Sequence, residues 1–178
     1  MLRSGRKLTA VEAIVTRWNV DSVDFDVDTV WGLTIARGRF DRVAGSYEAG
    51  PEGTKIELKV DSRSVVTGNG IWDDLLHSTE LSGLAEHPEV AFRSTRVLDS
   101  GQGKLQVEGL LRAAGKVVPL AFDAVLRRVD HGLQLEAAAT VHKEQLGKRG
   151  GQVGLILPAV VHVRARLIPL GPEARRSR

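Results

Sequence analysis

Cysteine is absent from the chain of 178 residues. No disulfide and no thiolate metal site can therefore contribute to the fold, although that alone does not exclude a secreted location. Aromatic residues make up only 4% of the sequence, too few for a platform that stacks nucleic-acid bases. No stretch approaches the ~20 consecutive apolar residues of a membrane-spanning helix. Charge of one sign is also scarce, with 25 Lys and Arg against 22 Asp and Glu and a net charge of +3. Much of the excess sits at the ends, in Arg3, Arg6 and Lys7 and in Arg175, Arg176 and Arg178. Short basic tails are ordinarily solvated, which favours that reading over a nucleic-acid arm. The N-terminus has the charges of a secretory signal, but Glu12 interrupts its short apolar run and Arg17 closes it. The expectation is a cytoplasmic protein: a flexible leader over 1–13, one domain over 14–170 and a basic tail over 171–178.

What the sequence does contain is alternation. In VDFDVDTV, Val23, Phe25 and Val27 fall on one face and Asp24, Asp26 and Asp28 on the other, as in a half-buried antiparallel strand. TKIELKVD repeats the pattern with Ile56, Leu58 and Val60, after a Gly50–Pro51–Glu52–Gly53 turn. The run before that turn, RGRFDRVAGSYEA, is expected to be one strand with a bulge or bend at Gly45. Trp31 to Ala36 reads as a turn or a single helical turn. Later strands follow the turns Ser100–Gly103 and Asp130–Gly132, and the last places Val161, Val163, Ala165 and Leu167 opposite His162, Arg164 and Arg166. Pro119 and Pro158 belong at strand starts or edges, because proline cannot donate in a ladder.

The stretch from Asn69 to Phe92 is the exception. Ile71, Trp72, Leu75 and Leu76 recur at helical spacing, Asn69 can cap the helix start, and Asp73 and Asp74 suit its first turns. Ser78, Ser82 and Gly83 break the stripe, and Pro88 returns the chain to an extended form. The strand count predicts an all-β protein: an antiparallel, up-and-down β-barrel of about eight strands with one short amphipathic helix between strands. A helix that must bury one face against a barrel is a candidate lid over its mouth. An open sandwich satisfies the alternation alone.

Most chemistry is missing. His77, His87, His131, His142 and His162 lack metal-ligand spacing, and surface or hydrogen-bonded roles fit them better. The aspartates of VDFDVD lack the glycine and terminal glutamate of a calcium loop, so a solvated strand face is expected. Asp73 and His77 are four apart, but no nucleophile elbow accompanies them. Gly147, Gly150, Gly151 and Gly154 precede a strand instead of a helix and lack the Lys-Ser/Thr ending of a phosphate loop. What remains is apolar surface directed inward: Phe25, Val27, Phe40, Ile56, Leu58, Phe92, Val107, Leu111, Leu120 and Phe122. These either fill a dry core or line a tube for a long apolar chain.

Seven stretches, in order, carry a resemblance: RWNVDSVDFDV, GRFDRVAGSYE, VDSRSVVTGN, DDLLHSTEL, HPEVAFRST, VEGLLRAAGKVVPL and TVHKEQLG. Together, over about residues 14–169, they resemble the YceI-like family of lipocalin-like, polyisoprenoid-binding barrels. Asp73, Leu76, Ser78, Leu81, Pro88 and Phe92 match the family's Asp-x-x-Leu-x-Ser…Pro-x-x-x-Phe pattern, with Leu81 where the family has Phe. Gly109, Leu111, Gly115 and Pro119 match its Gly-x-Leu…Gly…Pro hairpin, and Gly147 its late glycine. The resemblance implies a non-enzymatic protein, without cofactor or metal, that binds a polyisoprenoid or isoprenoid quinone in its interior, with a homodimer as a family-level expectation. The residues expected to meet the ligand are Phe25, Phe40, Leu58, Leu76, Leu81, Phe92, Leu111 and Phe122. Lys143 or Lys148 would face a polar head group. The alternatives are a structural or interaction protein with the same barrel packed solid, and an enzyme on small esters using His77.

Overall fold

A computed structural model describes residues 15–29, 31–70, 73, 86–142 and 158–170. The strands are β1 (Thr16–Thr29), β2 (Thr34–Phe40), β3 (Val43–Gly50), β4 (Gly53–Asp61), β5 (Val65–Val66), β6 (Glu89–Asp99), β7 (Lys104–Ala113), β8 (Lys116–Val129), β9 (Gly132–Val141) and β10 (Ala159–Pro169). The expected alternation sets their faces. In β1, Val23 and Phe25 are buried while Asp24 is exposed; in β10, Ala165 and Leu167 are buried while Arg164 and Arg166 are exposed.

These ten segments make eight barrel strands. Along its length β1 pairs with both β2 and β3, with Val23 opposite Phe40 and Asn19 opposite Ser46. On the next strand, β4 pairs with β3 and β5 pairs with β2. Counting β2–β3 and β4–β5 as bent single strands, every strand is antiparallel to its sequence neighbour, and β10 closes on β1 from Trp18↔Pro169 to Thr29↔Ala159. Closure removes the free edges that an open sandwich of this length would leave, which settles the architecture as a barrel. The turn expected to reach Ala36 is shorter than the sequence suggests, because pairing with β1 already begins at Thr34.

The bend falls at Asp41 and Arg42, not at Gly45 as the sequence suggests. Gly45 sits within β3 for a different reason. A Cβ there would come within 2.3 Å of the Glu57 carbonyl and 3.0 Å of Val20 Cγ2, so the glycine permits close strand approach. The bend itself is held by Asp61, whose Oδ1 accepts from the Arg63 amide at 2.9 Å and whose Oδ2 accepts from Arg42 Nε at 3.0 Å. The Ser64 hydroxyl donates to the Asp61 carbonyl at 2.7 Å and accepts from the Arg42 amide at 3.0 Å. Desolvation works against the Asp61 charge, but the Arg63 amide and side chain, with the charge of Arg42, outweigh it and hold its pKa below the usual carboxylate range. A depressed native pKa gives stability that is present above the unfolded value and lost as pH falls through the folded one. Asp61→Asn is therefore expected to lower stability at neutral pH by about 1 kcal/mol, the worth of hydrogen bonds partly screened by solvent. The gap from the native protein should close in urea titrations run below about pH 4.

The two ends of the barrel differ. One carries the turns at Pro51 and Glu52, at 100–103, and at Asp130 and His131. The other carries the 31–33 turn, the turn at Ala114 and Gly115, the ends of β5 and β9 and the starts of β6 and β10. Within the expected helix, Gly70, Asp73 and Glu86 are helical, and the Asp73 amide donates to the Asn69 carbonyl at 3.0 Å. Asp73 also anchors the chain arriving from β5, its Oδ1 accepting from the Thr67 amide at 2.8 Å and hydroxyl at 2.7 Å. The rest of the proposed lid, including Leu76, Leu81 and His77, lies outside the described residues. So do Lys143, Lys148, the leader and the tail.

Candidate functional site

The inward face is apolar over most of its length. Val23, Tyr47, Ile56, Phe92, Leu105, Val107, Ala124, Leu133, Leu135, Ala165 and Leu167 form one buried cluster. Tyr47 carries the polar group among them; burial raises its phenol pKa, which its hydrogen bond with Thr54 partly offsets. Around the cluster pack half-buried residues including Phe40, Leu58, Leu111, Leu120, Phe122, Ala137 and Val163.

Burial along that face is uneven. Towards the end with the polar turns, Leu105 is 2% exposed, Val107 1% and Leu167 1%, with Trp18, Val20 and Leu126 half-buried around them. Towards the other end, Val27, Leu111, Leu120, Phe122, Ala139 and Val161 retain accessible surface, while Val65, Ala113 and Ala159 at the rim are buried. Inward side chains keep such surface where neighbours do not pack fully against them. Ladder pairing thins at the same end. Among the described residues, β8 and β9 pair only from Asp123↔Ala138 to Val129↔Gly132, leaving 116–122 unpaired with 139–141. Pro119 falls in that unpaired part of β8, where its missing N–H costs no bond on the β9 side.

All four phenylalanines of the chain lie on this wall, in two pairs. Phe25 and Phe40 have ring centroids 5.1 Å apart, and Phe92 and Phe122 5.2 Å apart, both tilted. Each pair uses a glycine. A Cβ at Gly38 would come within 2.8 Å of Phe25 Cζ, and one at Gly109 within 2.5 Å of Phe92 Cζ. Gly109 sits on β7 between Phe92 on β6 and Phe122 on β8, and its bare backbone lets the two rings meet across that strand. Of the residues expected to meet a ligand, Phe25 and Phe92 are buried parts of the wall, at 7% and 9% exposure. Phe40, Leu58, Leu111 and Phe122 are half-buried and face the interior. Small inward residues such as Ala137 and Val163 carry no signal that sets them apart from ordinary strand residues in the sequence.

The outside of the barrel holds a different arrangement. Asp26, expected on a solvated face, accepts from both Arg37 and Arg164, the latter at 3.0 Å, and His162 Nε2 lies 3.1 Å from Asp28 Oδ2. The Asp26 contacts hold the Arg37 guanidinium's pKa above its usual value, through the hydrogen bond first and the charge second. With Thr34, Asp123, Glu136 and the apolar Val125, Ala137, Ala138 and Val163, these groups border a shallow groove of about 550 Å³. Its charged walls do not suit a hydrocarbon, and the pairs span β10, β1 and β2, where they hold the barrel closure. No group of three or more His, Cys, Asp or Glu that could hold a metal ion occurs among the described residues. No helix among the described residues is long and apolar enough to cross a membrane.

Comparison with known proteins adds to this geometry. The YceI-like domain family matches residues 18–167. A UPF0312 protein of Vibrio cholerae is 27% identical over 106 residues, which cover 58% of this chain and 56% of that one. The match thus spans little more than half the length of that relative. Among solved structures, a Campylobacter jejuni YCEI protein has a TM-score of 0.66 at 15% identity, covering 79% of this chain and 88% of the other. A polyisoprenoid binding domain from Saccharophagus degradans has a TM-score of 0.56 at 15% identity, covering 87% of this chain and 98% of that domain. At these identities the likeness is one of fold, and the fold shared is the antiparallel barrel.

Proposed function

The chain belongs to the YceI-like domain family, and on that premise we propose that it binds a long apolar lipid, of the polyisoprenoid or isoprenoid quinone type, inside the barrel and without catalysis. The observation that carries this reading is a group of inward apolar residues, Val27, Leu111, Leu120, Phe122, Ala139 and Val161, that keep accessible surface towards the end bearing the 31–33 turn. Phe40, Leu58, Leu111 and Phe122 would touch the hydrocarbon, backed by Phe25 and Phe92, with Leu76 and Leu81 of the helix stretch covering it. Lys143 would meet a polar head. Each CH2 removed from water contributes ~0.8 kcal/mol before ordering costs, so a chain of several isoprene units needs few polar contacts. The named binding activity of the Saccharophagus degradans domain supports the same ligand class. A cytoplasmic location and a homodimer complete the proposal.

Solvent extraction of the purified protein followed by mass spectrometry tests it. A co-purifying isoprenoid at near-stoichiometric amount is the expected result. Absence of any lipid, together with no uptake of added polyisoprenoid, would leave a solid barrel serving as a structural or interaction protein.

A further inference from the structure

The turn between β1 and β2 lies at the end of the barrel towards which those inward residues keep accessible surface. Trp31 is 89% exposed and Leu33 68%, above the other exposed large apolar residues at that end, Val117 at 61% and Val66 at 39%. This exposure does not come from a loose loop. The Gly32 amide donates to the Thr29 carbonyl at 2.9 Å, the Thr29 amide to the Leu33 carbonyl at 2.8 Å, and the Leu33 amide to Thr29 Oγ1 at 3.1 Å. Gly32 supplies the positive φ of 83° that so tight a turn requires, and a Cβ built on it meets nothing within 4 Å. The backbone bearing Trp31 and Leu33 is thus tied to Thr29 by three hydrogen bonds, and both side chains stand exposed.

We propose that this end of the molecule docks on a phospholipid bilayer, with Trp31 and Leu33 entering the interfacial region. Three features favour a bilayer over a protein surface. A tip of two side chains is too small for a stable protein interface, which buries about 800 Å² per partner. Tryptophan, apolar in body with one N–H donor, suits the boundary between head groups and acyl chains. The tip also adjoins the inward residues that keep accessible surface, whereas the turns at the opposite end present Glu52, Ser100, Gln102, Asp130 and His131. Exposed apolar residues at that opposite end, Val15 at 57% and Leu98 at 42%, are less exposed than Trp31 and Leu33. Passage of a lipid from the bilayer into the barrel would rest on the apolar-ligand reading; the docking itself does not.

The test is co-sedimentation of the full chain with phosphatidylcholine vesicles, for the native protein, Trp31→Ala and Trp31→Phe. Native protein should bind, and Trp31→Ala should weaken binding at least about tenfold, as loss of one buried aromatic side chain implies. Trp31→Phe should recover most of it. Binding should persist in about 1 M salt, where exposed charges are screened. Absence of vesicle binding by the native protein, or equal binding by Trp31→Ala, overturns the proposal. So does a concentration-dependent oligomer that Trp31→Ala dissolves while vesicles stay unbound, because the tip would then be a protein contact. Titrating the same variants with a soluble apolar fluorophore separates the two readings. Native vesicle binding without fluorophore uptake removes the interior ligand and keeps the docking surface; uptake without vesicle binding does the reverse.

Discussion

Phe92→Ala should destabilise the protein by about 3–5 kcal/mol, the range for deleting a buried aromatic ring. That is a large part of the roughly 5–15 kcal/mol of a typical domain. Phe92 is 9% exposed, its ring lies over Gly109, and its centroid is 5.2 Å from that of Phe122. Removing it takes away the transfer free energy of the ring, leaves Phe122 without its aromatic partner and bares the β7 backbone at Gly109. None of the three can be recovered by small shifts, because closed ladders on both sides hold β6 and β8 apart. Denaturant unfolding should show a lower midpoint with an unchanged slope. Phe92→Leu, which keeps much of the volume, should cost about 1–2 kcal/mol. A loss below about 1 kcal/mol for the alanine variant would mean that the ring does not pack across Gly109.

Leu111→Trp should reduce the affinity for an apolar fluorophore by about 100-fold, equivalent to two steps of 1.4 kcal/mol. Leu111 faces the interior beside Phe92 and Val118 and is half-buried, so an indole there would occupy the space assigned to ligand. If that space is available in the free protein, as the proposed function requires, the stability cost should stay within the ~1–3 kcal/mol of an overpacked core. The neighbouring Leu110→Trp is the control. Leu110 points outward and is 45% exposed, and the same indole there should leave fluorophore binding unchanged. If both variants bind as the native protein does, the interior near Leu111 holds no ligand.

Much of the fold is legible in the sequence because a barrel strand with one face in and one face out writes its orientation into every second residue. Val23 and Phe25, Ile56 and Val60, and Ala165 and Leu167 all face the side that alternation assigns them. The turns at Pro51 and Glu52, at 100–103, and at Asp130 and His131 are marked by their own residues. The bend at Asp41 and Arg42 is not, since it depends on Asp61 and Ser64, some twenty residues away, and no local pattern announces a partner at that distance. The ion pairs of Asp26 are hidden for the same reason: Arg164 reaches it only because β10 closes on β1. Alternation also cannot separate a filled interior from a hollow one. Buried Val107 and half-buried Leu111 stand on the same strand, obey one pattern and differ only in what surrounds them. Trp31 reads as part of a turn, and its exposure becomes meaningful only once the inward residues that keep accessible surface are located.

Whether the interior admits a hydrocarbon chain is tested most directly by titrating delipidated protein with an apolar fluorophore, followed by competition with a polyisoprenoid alcohol. Saturable uptake at one site per barrel, reversed by the alcohol and weakened by Leu111→Trp, is the predicted result. Fluorescence that rises without saturation, or that the alcohol fails to displace, would contradict it.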